Sequence, residues 1–410
     1  MMKKTPFHLK ILNSFYPSIL VLFGFVTGYL EWKMVLFGYL SFCLYVKYTS
    51  NTYFYYKDCE KNRRILSSST ILKNSNFKPH FLLPTAFSQL ILFPLISTSP
   101  EKLNLKEKEK VNDFGSSLIW GSFSKEAEKC FKTEDDINMP ILIVLPGITG
   151  DDSDNYINRI CYEGLKNNYK VVIYNNRMLS DQIVLHPEIH LDLIEEFESA
   201  VSLIEKKYPE RKIFAIGFSY GANKLLNFLG TRNLKDGKNR ISAAVSLSNP
   251  FDLKIGQRFL HDTIYDTLIL SFLKDRLKNN YDAVKKYVKD YDLEIDKALN
   301  AESVIEYDEH VVRRILRYKT PDHYYDGISC VHHLSKIKIP TLCINALDDN
   351  ITTSRAIPYD EIRLNENLIL LTTDTGGHLV WIDDSSILRL NQWVLNPAID
   401  FLNTVRKLNL

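Results

Sequence analysis

The sequence predicts an α/β fold in which a mostly parallel central sheet carries helices on both faces. From residue 112 onward, short apolar runs alternate with amphipathic segments, and this alternation is typical of strand–helix–strand units. The runs at 141–145 and 171–174 are continuously apolar, as expected of strands that are covered on both sides. We therefore predict strands at these two runs and at 213–216, 243–247, 341–345 and 368–371.

Helices are predicted between these strands from the spacing of apolar residues. The clearest segment, 189–208, has apolar side chains that recur every three or four residues: Leu191, Ile194, Phe197, Val201 and Ile204. The strand signal lapses between 251 and 338, where the chain is helical in pattern, charged and rich in aromatic residues. An insertion of this size between two core strands predicts a helical cap over the carboxyl edge of the sheet.

The amino terminus carries a second strong pattern. Residues 11–30 contain no charged side chain, and as a helix these 20 residues would span about 30 Å, the thickness of the hydrocarbon core of a bilayer. A signal peptide is the main alternative, because Lys3, Lys4 and Lys10 precede the stretch, but no small-x-small cleavage site follows it. We predict a transmembrane anchor within residues 1–48.

The orientation of this anchor stays open. With a single span, the lysines would hold the amino terminus in the cytosol. If the uncharged stretch 34–46 completed a hairpin, the catalytic domain would face the cytosol instead. The facing side and the membrane itself are undetermined, and the endoplasmic reticulum is one candidate.

Residues 49–110 are predicted to form a juxtamembrane linker and arm, followed by one α/β domain over 111–410 with its cap at about 251–338. The stretch 57–80 is polar and mildly basic, whereas 81–96 is apolar but interrupted by Pro84 and Pro94, which predicts an extended arm. The charge run 102–110 is predicted to be an exposed loop.

Composition excludes several classes of function. Lysine and arginine total 51 against 49 acidic residues, so no basic field points to nucleic acid as a partner. The six cysteines are scattered without metal-like spacing, and Cys161 and Cys343 are predicted to be buried. Nucleotide-binding glycine motifs and the H-E-x-x-H zinc motif are absent from the sequence. We expect no cofactor, no metal and no obligate protein partner.

A serine at a strand-to-helix corner is the candidate nucleophile. Ser219 stands in Gly217-Phe218-Ser219-Tyr220-Gly221, after the apolar run 213–216 and before the helix-forming stretch 222–229. A tight bend projects the serine away from the backbone, and the flanking glycines leave room for it. A helix-capping serine beside packing glycines is the alternative interpretation.

A serine hydroxyl needs a base, and the base needs an orienting carboxylate. On this type of sheet the acid and then the histidine follow the serine along the chain. Asp348 and Asp349 both lie just past the strand 341–345, where ligand sites of such sheets gather. Asp349 is the preferred acid, because Asp349-Asn350-Ile351 matches the usual Asp-x-hydrophobic turn, and Asp348 is the alternative. His378 is the predicted base, since two glycines precede it just beyond the strand 368–371, whereas His323, His332 and His333 are interpreted as structural.

The oxyanion of an acyl-transfer intermediate needs preorganised N–H donors. We expect one from the amide of Tyr220, directly after the nucleophile, and the other from the amide of Ile148 in the loop after the strand 141–145.

As an ordered set, several motifs resemble the membrane-anchored α/β-hydrolase-domain lipase/esterase family. That family includes animal phospholipase and monoacylglycerol lipase members, yeast medium-chain fatty-acid ethyl ester synthase/esterases and plant relatives. The resemblance runs over about 80–405, and the matching pieces lie at 113–115, 118–120, 145–150, 174–177, 217–223, 249–252, 324–325, 339–342, 345–349 and 376–378. It implies an α/β-hydrolase fold, an N-terminal single-pass anchor, and a charge relay of Ser219, an aspartate at 348 or 349, and His378. Met178 and Asn350 depart from the pattern, at positions that concern substrate selectivity rather than the relay.

The function predicted from these observations is that of a membrane-anchored serine hydrolase acting on carboxylic esters, with lipid acyl esters as the expected substrates. Two alternatives stay open. The same residues could transfer the acyl group to an alcohol, because water and alcohol attack the acyl-enzyme in the same way. The chain could also be a non-catalytic receptor or scaffold on the same fold.

Overall fold

The computed structural model describes residues 32–90, 103–111, 116–123, 139–148, 150–176, 193–383 and 392–410. Within this part of the chain, nine strands form one sheet in the order β1-β11-β10-β9-β6-β4-β5-β3-β2. The six strands from β11 to β5 run parallel, whereas β1, β3 and β2 are antiparallel to their neighbours. The mostly parallel sheet predicted from the sequence is confirmed.

The strands of this sheet, together with the small hairpin β7-β8, have these bounds: β1 Thr52–Tyr56, β2 Leu103–Lys110, β3 Ser117–Phe123, β4 Ile141–Leu145, β5 Lys170–Asn175, β6 Ile213–Phe218, β7 Leu234–Lys235, β8 Lys238–Asn239, β9 Ala243–Leu247, β10 Thr341–Ala346 and β11 Leu368–Thr373. All six strands predicted from apolar runs are present, with ends that differ by at most two residues.

The α-helices with complete bounds are α1 Trp32–Thr49, α2 Glu60–Ser68, α3 Asn155–Lys166, α4 Leu193–Lys207, α5 Tyr220–Thr231, α6 Leu253–Leu260, α7 Ile264–Asn279, α8 Tyr281–Lys285, α9 Val288–Tyr291, α10 Ile295–Asn300, α11 Val304–Tyr307, α12 Arg313–Ile315, α13 Pro321–Gly327, α14 Tyr359–Leu364 and α15 Leu395–Leu408. A π-helical turn, Asp308–Val312, joins α11 to α12, and a 3₁₀ helix, Cys330–Lys336, precedes β10.

Both faces of the sheet are covered because alternate residues of each strand point to opposite sides. On one face, Val144 and Ile216 belong to an apolar core shared with α3 and α15. On the other face, Ile143 and Ala215 pack in a core shared with α4 and α5. Cys161 and Cys343 are buried in these two cores, as predicted.

The predicted helical insertion between β9 and β10 contains α6 to α13. Its residues form an apolar cluster of their own, which includes Leu270, Leu277, Val304 and Ile315. We refer to this region, residues 251–338, as the cap. It meets the end of the sheet at Tyr265, whose hydroxyl lies 3.4 Å from the side-chain amide of Asn350.

The prediction of a linker and an arm packed on the domain over residues 49–110 did not include two strands of the main sheet that lie in this stretch. Strand β1 pairs with β11, and β2 pairs with β3, so both ends of this stretch are edge strands of the main sheet. The charge run predicted as a loop is β2 itself, because charged side chains are common on edge strands, where they discourage pairing with other molecules. The predicted extended arm is helical over 86–90, and residues 91–96 lie outside the described part.

The predicted membrane anchor at 11–30 also lies outside the described residues. Helix α1 follows it directly, with 18 residues, and exposes Phe37, Tyr45 and Tyr48 over 74%, 67% and 75% of their surface. Across the described ranges, we find no helix that combines the length and the apolarity needed to cross a membrane.

Candidate active site

Ser219 lies at the corner between β6 and α5. Its backbone has φ of 52° and ψ of −118°, a combination that residues with a side chain rarely adopt. The corner is held by β9, because the Ser219 amide donates to the carbonyl of Leu247 over 2.8 Å. Such a bend is strained and persists only where the surrounding structure imposes it, and strain of this kind is concentrated at functional sites.

The two glycines that flank Ser219 allow its corner to pack closely. A Cβ atom added at Gly217 would lie 2.6 Å from the Cα atom of Ala222. One added at Gly221 would lie 2.8 Å from the carbonyl carbon of Leu145, and closer still to two carbonyl oxygens. Both contacts are with backbone, which cannot move aside. Gly217 is therefore required by the tight turn of β6 into α5, and Gly221 by the approach of α5 to β4 and the loop after it.

The structure brings Ser219 together with His378 and Asp349. Nε2 of His378 lies 3.0 Å from Oγ of Ser219, and Nδ1 lies 2.8 Å from Oδ2 of Asp349. The side chain of Asp349 is fully buried, and that of His378 is 12% exposed. Three further bonds orient the carboxylate: Oδ1 accepts from the amides of Ile351 and Thr352, and Oδ2 accepts from the Thr352 hydroxyl over 2.6 Å.

Of the two adjacent aspartates, Asp349 is the one that contacts His378. The carboxylate of Asp348 instead accepts from the amide of Gly377 over 2.9 Å and from the amide of Ala86 over 3.0 Å. Burial raises the pKa of Asp348, the bonds from the Gly377 and Ala86 amides oppose the rise and the nearby charge of Asp349 adds to it, and together these effects bring the pKa to about 7. The two carboxyl groups thus have different environments and different partners.

The predicted oxyanion donors come from two elements that converge on Ser219. Tyr220 is the first residue of α5, where the amides of a helix have no partner within the helix. Ile148 follows Gly147, where an added Cβ would lie 3.4 Å from Cβ of Ser219. The amide of Gly147 itself donates to the hydroxyl of Tyr156 over 3.2 Å. The loop after β4 is therefore adjacent to the nucleophile.

A separate cavity of about 400 Å³ lies between α5 and the cap. Tyr220, Lys224 and Tyr318 are among its lining residues, and Ser219 is not among them. Lys224 is buried, hydrogen-bonds to Oδ1 of Asn176, and lies over the ring of Tyr174 at 5.3 Å from its centroid. Of the histidines interpreted as structural, His332 is 3.5 Å from Asp326 on the surface, and His333 lines this cavity.

Sequence reasoning missed several residues that hold the site together. The amide of Leu379, directly after His378, donates to Oγ of Ser248 over 3.2 Å. Thr352 supports Asp349, and Ala86 supports Asp348. A threonine three residues after an aspartate is a recognisable local signal, since short polar side chains commonly bond to nearby backbone and side chains. Ala86 gives no such signal.

Comparison with known proteins adds to this geometry. The family model described as "alpha/beta hydrolase fold" matches residues 140–385, which is more than half of the chain. Embryogenesis-associated protein EMB8 of Picea glauca is 27% identical over 321 residues, covering 77% of this chain and 68% of that protein.

Two further relatives carry lipase names. Phospholipase ABHD3 of Homo sapiens is 28% identical over 298 residues, covering 72% of this chain and 71% of that protein. Monoacylglycerol lipase of Saccharomyces cerevisiae is 28% identical over 279 residues, covering 66% of this chain and 60% of that protein. The family resemblance predicted from the motifs is confirmed, and the chain belongs to the α/β-hydrolase fold family.

Proposed function

We propose that this protein hydrolyses carboxylic esters through Ser219, His378 and Asp349. The observation that carries the proposal is the continuous chain of hydrogen bonds from Ser219 Oγ through the imidazole to the buried Asp349 carboxylate. This order of nucleophile, base and orienting acid is what acyl transfer at a serine requires. The names of the lipase relatives support the same reaction class.

In this mechanism, Nε2 of His378 takes the proton of Ser219 as Oγ attacks the ester carbonyl. Asp349 holds the imidazole through Nδ1 and stabilises its positive charge. The amides of Tyr220 and Ile148 donate to the oxyanion, and the imidazolium then protonates the departing alcohol. Water, deprotonated by the same nitrogen, attacks the acyl-enzyme, and the imidazolium returns this proton to Oγ of Ser219 as the bond to the acyl group breaks and the carboxylic acid leaves. Each step uses residues of this chain alone.

The proposed substrates are lipid acyl esters. Besides the names of the relatives, the support comes from apolar surface on the cap. Helix α7 exposes Ile264, Leu268 and Phe272 at a spacing of four residues, over 49%, 48% and 62% of their surface. The first of these three exposed residues directly precedes Tyr265. The hydroxyl of Tyr265 lies close to the side chain of Asn350, the residue after Asp349. An apolar surface at this place suits an aggregated lipid substrate.

We further propose that residues 11–30 anchor the chain in a membrane as a single span. The support is their uncharged composition and their length, together with the aromatic side chains exposed on α1 directly after them. The membrane is then the surface on which the enzyme meets its substrate.

Covalent labelling with a fluorophosphonate probe tests the ester-hydrolase proposal. We expect the wild-type chain to be labelled and to hydrolyse a short-chain p-nitrophenyl ester. Ser219→Ala should abolish labelling and lower kcat by at least about 10³-fold, because the nucleophile is lost. Ser199→Ala is the matched control, since Ser199 is exposed on α4 and its hydroxyl donates to the carbonyl of Glu195, one turn earlier in the same helix.

The alternatives predict different results in the same experiment. A folded wild-type chain that neither reacts with the probe nor turns over esters would contradict the proposal and favour a scaffold. Acyl transfer would appear as formation of a new ester when an alcohol is added, at the expense of the free acid. Loss of labelling in Ser199→Ala, with Ser219→Ala unaffected, would place the nucleophile elsewhere.

A further inference from the structure

Asp348 links two parts of the chain that are far apart in sequence. One is the loop 376–382, here called the histidine loop, and the other is residues 80–90, here called the N-terminal arm. Oδ1 of Asp348 accepts from the Gly377 amide over 2.9 Å, and Oδ2 accepts from the Ala86 amide over 3.0 Å. A carboxylate that accepts from two separate backbone segments fixes their relative position.

The histidine loop needs such external support because its backbone is unusual. Gly376 and Gly377 have φ of 144° and 61°, and Leu379, directly after His378, has φ of 65°. Local interactions rarely maintain a succession of positive φ values, so contacts with neighbouring elements must hold it. Gly377, the residue before His378, carries the amide that Asp348 accepts from.

The N-terminal arm packs along the same loop. A Cβ atom added at Gly377 would lie 3.1 Å from the Cα atom of Ala86. Further along, the amide of Ile382 donates to Oε1 of Gln89 over 3.1 Å, and the carbonyl of Ile382 accepts from the amide of His80 over 2.9 Å. Leu83 packs against Val380 and Ile382 in a small apolar cluster. The arm therefore contacts both ends of the histidine loop.

We propose that Asp348 is a positioning residue for ester hydrolysis, which clamps the amide of Gly377 to that of Ala86 and so makes the placement of His378 depend on the N-terminal arm. This inference rests on the proposed function. It assigns the adjacent aspartates separate tasks, since Asp349 orients the imidazole ring directly and Asp348 holds the backbone that carries it. A displacement of the base by a fraction of an ångström slows proton transfer without removing any reacting group.

The first test is Asp348→Asn, assayed with the p-nitrophenyl ester and the fluorophosphonate probe. The amide keeps one accepting oxygen but turns an NH₂ group toward one of the two N–H donors, so the clamp opens. We expect kcat and the rate of probe labelling to fall roughly 10- to 100-fold, with KM little changed. A residue that only stabilised the fold would lower thermal stability and leave kcat of the folded fraction unaltered.

Asp400→Asn is the matched control for this change. Asp400 also clamps the N-terminal region to the domain, because its carboxylate accepts from the amides of Ile71 and Leu72 and from the hydroxyls of Ser69 and Thr70. It lies on α15, which contributes none of the proposed catalytic groups. We expect this variant to unfold at a lower temperature with kcat unchanged.

Ala86→Pro tests the same clamp from the arm, and it keeps the proposal open to refutation if Asp348→Asn does not fold. Ala86 is the first residue of the helical turn 86–90, a position that tolerates proline, and the substitution removes the N–H that Asp348 accepts from. Glu60→Pro is its control, because it places a proline at the exposed first position of helix α2. Of these two proline variants, we expect only Ala86→Pro to lower kcat. In the double variant with Asp348→Asn and Ala86→Pro, kcat should fall by less than the product of the two separate fold-losses.

The outcomes separate this inference from the function on which it rests. An active wild type with undiminished kcat in folded Asp348→Asn and Ala86→Pro would overturn the clamp and leave the ester-hydrolase proposal standing. A wild type that neither reacts with the probe nor hydrolyses the ester would overturn both. Equal losses in Asp400→Asn and Asp348→Asn would also overturn the clamp, because stability alone would then account for the effect.

Discussion

The conformation of Ser219 follows from close contacts that involve its neighbours as much as itself. Beyond the positive-φ corner at Ser219, α5 approaches β4 so closely that a Cβ atom added at Gly221 would overlap the carbonyls of Leu145 and Pro146. That approach also places Tyr220, the expected oxyanion donor, beside the loop that carries Ile148. One glycine therefore supports both the nucleophile and the expected oxyanion hole.

Gly221→Ala tests this dependence. The added methyl group meets backbone on β4 and its loop, so either α5 or β4 must shift. We expect the free energy of unfolding to fall by about 1–3 kcal/mol, as for other overpacked cores. We also expect the folded fraction of the variant to hydrolyse esters more slowly than the wild type. Gly256→Ala is the control, because a Cβ at Gly256 meets nothing within 4 Å and alanine favours a helix. Urea unfolding measures the stability of both variants. Equal stability of Gly221→Ala and Gly256→Ala would contradict this prediction.

At the site, sequence reasoning placed residues whose signals are local. Ser219 and His378 are marked by glycines within two residues and by their places just after predicted strands, and the structure brings both side chains within hydrogen-bonding distance. Adjacent aspartates cannot be told apart by spacing, because a shift of one residue at the end of a strand reverses the direction of the side chain. Asp348 accepts a hydrogen bond from the amide of Ala86, which is 262 residues away in sequence. No local pattern can predict such a contact.

At the level of elements, the same distinction separates the strands that were predicted from those that were missed. The six parallel strands that were predicted are mostly apolar because both of their faces are buried, and this pattern is visible in the sequence, whereas β3, which is also an inner strand, was not predicted. Strand β1 is half-exposed and β2 is charged, since each lies at an edge of the sheet. Their assignment depends on pairing with β11 and β3. Edge strands therefore resemble linkers until their partners are known.

The cap contains a buried carboxyl group that should make its stability depend on pH. Asp308, on the π-helical turn, accepts a hydrogen bond from the hydroxyl of Tyr325 over 2.5 Å. Burial raises the pKa of Asp308, the hydrogen bond from Tyr325 opposes the rise and the charge of Asp266 adds to it, and together these effects bring the pKa to about 7. The folded chain therefore binds a proton at this site between about pH 4 and pH 7 that the unfolded chain releases. The stability that the protonated Asp308 carboxyl group contributes is fully present below about pH 4 and is lost as pH rises through 7.

Asp308→Asn removes this titration and keeps an acceptor for Tyr325. We expect the variant to gain stability over the wild type as pH rises from 5 to 8, by an amount of the order of a few kcal/mol. Thermal unfolding across that range measures the difference. Asp275→Asn, on the exposed face of α7, should track the wild type at every pH. A constant offset between Asp308→Asn and the wild type would show that Asp308 does not titrate in this window.

Over the whole molecule, the N-terminal region is bound to the catalytic domain at a series of points. Strand β1 pairs with β11, the amide of Asn51 donates to Asp374 over 2.8 Å, and the hydroxyl of Tyr39 on α1 donates to the carbonyl of Leu82 over 2.8 Å. Leu82 belongs to the N-terminal arm, which reaches Asp348 through the amide of Ala86. The described residues between the proposed anchor and position 90 thus contact the domain at several points, one of which is the aspartate that bonds to the loop of His378. An anchored enzyme of this design would keep its active site at a fixed place near the bilayer.

Charged residues placed within the proposed span test the anchor while leaving every described contact intact. The test variant combines Leu20→Arg with Phe25→Arg. Each arginine should add about 2.5–3.5 kcal/mol to the free energy of inserting the segment near the bilayer centre. We expect the double variant to leave the membrane pellet after alkaline carbonate extraction and to retain hydrolysis of a soluble short-chain ester. Replacing Lys3, Lys4 and Lys10 by glutamine should leave the chain in the pellet, because the apolar stretch is unchanged. If the arginine variant also stayed in the pellet, residues 11–30 would not be the anchor, and the apolar faces of α1 and α7 would be the next surfaces to mutate.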